Sequence, residues 1–171
     1  MNAQLDITAP EAKPQYVDPS KKKKIMLVDD DPAIRQILVR LLQDEDYLVV
    51  TAANGVEALE LNNATKVDLV LLDLNMPVKG GWETFEQLSQ QNPLLPVILI
   101  TAKPNQLFPA LGAGVGALLE KPLDFVKLFD TIRILLDEAP EARLARMAGQ
   151  SSQFRYIPPI PGATASKDQA Q

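Results

Sequence analysis

Between Lys24 and Glu138 the chain alternates short apolar runs with segments of helical period, five times over. The runs are IMLV at 25–28, YLVVT at 47–51, VDLVLL at 67–72, PVILI at 96–100 and ALL at 117–119. Near-continuous apolar strands separated by amphipathic helices make a parallel sheet buried under helices on both faces, so the pattern predicts an α/β domain. Ile34, Ile37, Leu38, Leu41 and Leu42 follow the spacing of one helix face. Asp31 is placed to cap that helix, and Pro32 suits its first position, where a missing N–H costs nothing. Asn54 and Gly55 open a second helix, Lys79 to Gly81 a third, and Phe125, Leu128, Phe129, Ile132, Leu135 and Leu136 define a last one. The fourth segment holds Pro104, Pro109, Gly112 and Gly114, which predicts a short, late-starting or distorted helix.

Outside this block the periodicity stops. Residues 1–20 and 150–171 are rich in Pro, Ser, Gln and Ala and are expected to be flexible tails, because they bury too little to offset the entropy of ordering. Glu141 to Ala148 can add a short helix. The expected organisation is a tail at 1–20, one domain at 21–138 and a helical, Pro-rich extension at 139–171 with no room for an output domain.

Composition narrows the chemistry. The 171 residues carry a formal net charge of −5, which argues against direct grip on a nucleic-acid backbone. The chain has no Cys and no His, which removes thiol nucleophiles, disulfides, His-ligated zinc and Ser-His hydrolysis. No apolar h-region opens the chain, and no run approaches the roughly 20 residues that span a bilayer. A cytoplasmic protein with no membrane contact is expected.

In an open parallel sheet, ligands bind beyond the carboxyl ends of the strands. Asp29 and Asp30 end the first run, Asp73 the third and Thr101 the fourth, while the fifth leads into Lys121 and Pro122. Three carboxylates on one rim repel each other unless a cation compensates them, and hard oxygen ligands favour Mg²⁺. Lys121 adds a fixed positive charge and Thr101 a hydroxyl donor, as phosphoryl oxygens require. Asp73, on a central strand, is the best placed nucleophile for an acyl phosphate.

These motifs, VDDDP at 28–32, LLDLNMP at 71–77, ITAK at 100–103 and EKP at 120–122, resemble the receiver domain of bacterial response regulators over about Lys24 to Glu138. The resemblance implies a flavodoxin-like (βα)5 three-layer sandwich with a parallel five-stranded sheet in the order 2-1-3-4-5. It implies that Asp73 is the phosphoacceptor and that Asp29, Asp30, Asp73 and the backbone carbonyl of Asn75 hold Mg²⁺. Thr101 and Lys121 would then attend the phosphoryl group. The implied donor is a sensor histidine kinase or a histidine phosphotransfer protein. The implied role is a single-domain switch rather than an enzyme, signalling to a downstream protein or passing the phosphoryl group on.

Two departures stand out: Leu118 lies where the family often has an aromatic switch residue, and the segment from Thr101 to Lys121 is somewhat short. They motivate an alternative, a protein-interaction module on the same fold that works without phosphorylation. An aspartyl phosphatase would want a DxD motif where Asp73 is followed by Leu74 and Asn75, and a flavin carrier would want a phosphate-cradling loop where DDDP stands. Asp31 and Asp68 read as caps or turn residues, and Trp82, Phe85 and Leu88 as core. Lys21 to Lys24 reads as a solvated entry to the first strand, and FRYIPPIP at 154–161 as a flexible segment with the composition of a docking peptide.

Overall fold

The computed structural model describes residues 22–78, 80–150 and 154–162. The expected tail at 1–20, Lys21, Lys79 and residues 151–153 and 163–171 lie outside the described residues. Strands β1 (Lys24–Val28), β2 (Leu48–Ala52), β3 (Leu69–Asp73), β4 (Val97–Thr101) and β5 (Ala117–Glu120) alternate with helices α1 (Pro32–Asp44), α2 (Gly55–Ala64), α3 (Gly81–Gln91), α4 (Leu107–Gly112) and α5 (Phe125–Leu136). A further helix, α6 (Pro140–Met147), and a strand, β6 (Arg155–Ile157), follow.

All strands are parallel, in the order β2-β1-β3-β4-β5-β6. The first five keep the expected order. The sixth corrects the expectation that residues 150–171 form a flexible tail, because residues 154–157 find partners on the edge of β5 that their own short pattern does not reveal. Met26, Val28, Val70, Leu72, Leu99 and Leu118 pack under α2, α3 and α4 on one face. Ile25, Leu27, Leu69, Leu71, Ile98 and Leu119 pack under α1 and α5 on the other. Both faces of β3 and β4 are buried along their whole length, which is why those runs read as continuous apolar sequence.

The helix starts follow the expected caps. The Asp31 carboxylate accepts from the N–H groups of Ala33 and Ile34. Asn54 Oδ1 accepts from Glu57 N at 3.0 Å, while Glu57 reaches back to Ala53 N at 2.8 Å, a reciprocal capping box. Helix α4 spans only six residues, as its prolines and glycines predict. Phe85 and Leu88 are buried as expected, and half-buried Trp82 packs at their edge with its indole N–H donating to Gln106. Two positions depart from the helix-face expectation: Ile37 is 55% exposed and Phe125 39%, because α1 and α5 leave an apolar cleft between their outer flanks instead of closing over it. Lys22 and Lys23 pair with Asp46 and Asp68 within the chain.

Helix α6 is fastened by a buried ion pair between Glu138 and Arg146. Arg146 also donates to Gly114 O, and Arg143 donates to Leu94 O and Leu135 O, so both guanidinium groups satisfy backbone carbonyls at the foot of the sheet. Among the described residues no helix is long and apolar enough to cross a membrane.

Candidate functional site

Asp29, Asp73 and Thr101 leave their strands through the same local device. Asp29 Oδ1 accepts from Asp31 N at 2.8 Å, Asp73 Oδ1 from Asn75 N at 2.8 Å and Thr101 Oγ1 from Lys103 N at 3.0 Å. A side-chain oxygen bonded to the backbone two residues on forms a tight turn and fixes the direction of that side chain. The three turns line the carboxyl rim of adjacent strands β1, β3 and β4. Lys121 joins them from β5, its backbone N–H bonded to Thr101 O at 2.7 Å.

The side chains converge. Carboxylate oxygens of Asp29, Asp30 and Asp73 lie within 4.8 Å of one another. Lys121 Nζ donates to Asp73 Oδ2 at 2.5 Å and to Asp29 Oδ2 at 3.1 Å. Thr101 Oγ1 donates to Asn75 Oδ1 at 3.1 Å, which places Asn75 between the hydroxyl and Asp73. The candidate residues Asp29, Asp30, Asp73, Asn75, Thr101 and Lys121 therefore form one cluster, with Asn75 attached through its amide side chain and its N–H. Asp29 and Asp73 are buried while Asp30 faces solvent, so the cluster has one open side.

Burial raises the Asp29 carboxyl above its ordinary value, against the lowering effects of the Asp31 N–H and of Lys121. Burial also works against the Lys121 ammonium, but the hydrogen bonds and charges of Asp73 and Asp29 outweigh it and lift that group above its ordinary value. Lys121 is thus a fixed cation, and three carboxylates face it. A divalent cation would meet the remaining negative charge, and hard oxygens of this kind suit Mg²⁺.

Three residues beside the site were not singled out for it by the sequence. Arg35 donates from α1 to Asp29 O at 2.5 Å and ties that helix to the site. Gly81 lets α3 start against the end of β3, since a Cβ there would sit 2.5 Å from Asp73 O and from the Leu74 Cα. Val78 holds a φ of 71°, a strained conformation for a β-branched residue, in the loop that follows Asn75. Beside Lys121, an apolar cavity of about 250 Å³ opens between Ile34, Ile37, Leu38, Leu123 and Phe125.

Residues 25–133 match the model of the response regulator receiver domain. The chain is 37% identical over 124 residues to the transcriptional regulatory protein GlrR of Escherichia coli, covering 71% of this chain and 28% of that protein. It is 40% identical over 115 residues to the transcriptional regulatory protein CpxR of the same organism, covering 66% and 49%. The chain thus spans between about a quarter and a half of these curated relatives. Among solved structures, a CheY-like receiver domain protein from Methanospirillum hungatei superposes with a TM-score of 0.66 at 31% identity, covering 71% of this chain and 98% of that one. The response regulator TrrA of Thermotoga maritima, solved in complex with Mg²⁺ and BeF, superposes with a TM-score of 0.62 at 33% identity, covering 66% and 98%.

Proposed function

This chain belongs to the response regulator receiver domain family of two-component signalling, and from that premise we propose that Asp73 accepts a phosphoryl group from the phosphohistidine of a sensor histidine kinase or a histidine phosphotransfer protein. One observation carries the reading: three carboxylates gather on one rim around a single ammonium that bonds two of them. Such a cluster is costly for folding alone, because like charges in a partly buried site oppose one another. It suits a site that takes up a cation and an anionic group together.

A carboxylate oxygen of Asp73 attacks phosphorus, the P–N bond of the donor breaks, and its electron pair returns to the imidazole. The Asn75 N–H holds the other Asp73 oxygen and aims the carboxylate. Lys121, which bonds Asp73 in the resting chain, turns its ammonium to the new phosphoryl oxygens. Thr101 exchanges the Asn75 side chain for a second phosphoryl oxygen. Asp29, Asp30, Asp73 and the Asn75 carbonyl would hold Mg²⁺, which would supply charge neutralisation for the transferring group. Because Lys121 and Thr101 lie on neighbouring strands joined by a backbone bond, their shift favours a different arrangement of β4 and β5, and a partner protein or an onward phosphoryl acceptor reads the change. The chain acts as a switch, with no turnover of a separate substrate.

The test is transfer from a phosphohistidine-loaded phosphotransfer protein. An acyl phosphate labile to hydroxylamine is expected on the wild-type chain and absent from Asp73→Asn. Retention of label on the donor with no such adduct, or equal labelling of both chains, overturns this reading and leaves the phosphorylation-independent interaction module.

A further inference from the structure

After α6 the chain returns to the sheet and lays β6 along β5, with Ala117 opposite Arg155, Leu118 opposite Tyr156 and Leu119 opposite Ile157. The attachment rests on a few side chains and a three-residue strand pairing. Ile157, 8% exposed, enters the cluster under α5. Half-buried Phe154 packs against the cluster on the opposite face. Tyr156 remains 41% exposed, and its hydroxyl donates to Glu120 at 3.0 Å. Backbone bonds flank the strand, Arg155 N to Gly116 O and Ile160 N to Pro122 O, each at 3.3 Å.

These are the features of a peptide seated by strand addition, in which main-chain bonds give attachment and alternate side chains enter sockets on the two faces. The strand proper has only three residues. Pro158, Pro159 and Pro161 follow its anchor. They hold the backbone extended before it docks, so little freedom is lost on seating, and they offer no N–H to prolong the ladder. One polar contact adds to this, the Tyr156 hydroxyl donating to Glu120 at the rim.

We propose that the edge of β5 from Gly116 to Pro122 is a docking groove for extended peptides, filled here by the chain's own residues 154–160. A partner segment of the pattern aromatic-x-aromatic-Ile-Pro-Pro takes the same groove by displacing them. The inference is independent of phosphorylation, although the groove ends beside Lys121 and its occupant bonds the carbonyl of Pro122.

Because the chain has no cysteine, Ile157→Cys places a unique thiol at the buried anchor of the 171-residue chain. Its maleimide labelling is expected to run roughly tenfold slower or more than in the urea-unfolded chain. Saturating synthetic peptide FRYIPPIP should accelerate it severalfold, and a scrambled peptide should not. Labelling at the unfolded rate without peptide would mean that the segment is not seated and would overturn the proposal, as would a rate indifferent to peptide. A rate that ignores peptide but falls with protein concentration would assign the groove to a second copy and equally overturn it. Ile157→Asp supplies an independent reading, since a buried carboxylate unseats β6 and vacates the groove. Fluorescent FRYIPPIP should bind this variant about tenfold or more tightly than wild type, with cooperative unfolding retained as the check on folding. Equal binding to a folded variant and to wild type would overturn the proposal.

Discussion

Lys121 Nζ stands 2.5 Å from Asp73 Oδ2, although the two residues lie 48 positions apart in the chain. The same ammonium reaches Asp29 at 3.1 Å, so one cation from the end of β5 holds together carboxylates from β1 and β3. Lys121→Met leaves both carboxylates facing each other without compensation. A loss of about 2–3 kcal/mol at pH 7 is expected, the lower end of what breaking a buried pair costs because Lys121 is partly exposed. Urea unfolding measures it, and millimolar Mg²⁺ should restore part of the loss by binding the folded state. The folded-state pKa of Lys121 lies above 10.5, so its stabilisation is fully present below pH 10.5 and fades as pH rises through the folded value.

Asp29 has the opposite sign. Its carboxyl is raised above 3.8 in the folded chain, chiefly by burial, so at neutral pH its ionised form weighs against folding. Asp29→Asn keeps its one side-chain oxygen for Asp31 N and gives up the bond to Lys121, but it removes the buried charge and is expected to be more stable than wild type at pH 7 in the absence of divalent cations. The difference should shrink as pH falls through the raised value and vanish below 3.8. Paired thermal melts across that range check it, and a variant less stable than wild type at pH 7 would refute it.

Gly81→Ala tests the close approach of α3 to the phosphoacceptor strand. Its Cβ would meet backbone atoms of Asp73 and Leu74 at 2.5 Å, and backbone cannot swing aside as a side chain can. A destabilisation of about 2 kcal/mol is expected, with slower phosphorylation as the turn after Asp73 shifts. Gly112→Ala is the control, since nothing lies within 4 Å of a Cβ there, and it should be near neutral.

The Glu138–Arg146 pair is buried, with side chains only 7% and 5% exposed. Arg146→Leu removes that pair and the bond to Gly114 O, leaving Glu138 with Arg143 alone at 3.2 Å, and should cost about 3 kcal/mol in urea unfolding. Adding Glu138→Gln breaks the remaining pair with Arg143 and should destabilise further. A double variant as stable as Arg146→Leu, or more so, would contradict this account of how α6 is held.

The rim was legible because strand period and length decide where the chain leaves the sheet. The spacing of Asp29, Asp73, Thr101 and Lys121 therefore puts them on one edge before any coordinates are known. What spacing could not supply was the pairing inside the cluster, since the bonds from Lys121 to Asp73 and Asp29 depend on how adjacent strands stagger. Apolar period also overcounted the core: Ile37 and Phe125 match the helix pattern, yet they flank the cleft beside Lys121. Strand β6 was missed because Phe154, Tyr156 and Ile157 acquire their roles from the exposed edge of β5, and three residues before two prolines carry too short an alternation to announce a strand. Arg146 was missed for a similar reason, since a charged residue becomes buried only where Glu138 and Gly114 O meet its donors.

The most direct measurement is intact mass after incubation with a small-molecule acyl phosphate, for wild type and Asp73→Asn, with and without Mg²⁺. The account predicts a single phosphoryl adduct on wild type that requires Mg²⁺ and is absent from Asp73→Asn. An adduct of equal yield on Asp73→Asn, or on wild type stripped of divalent cations, would contradict it.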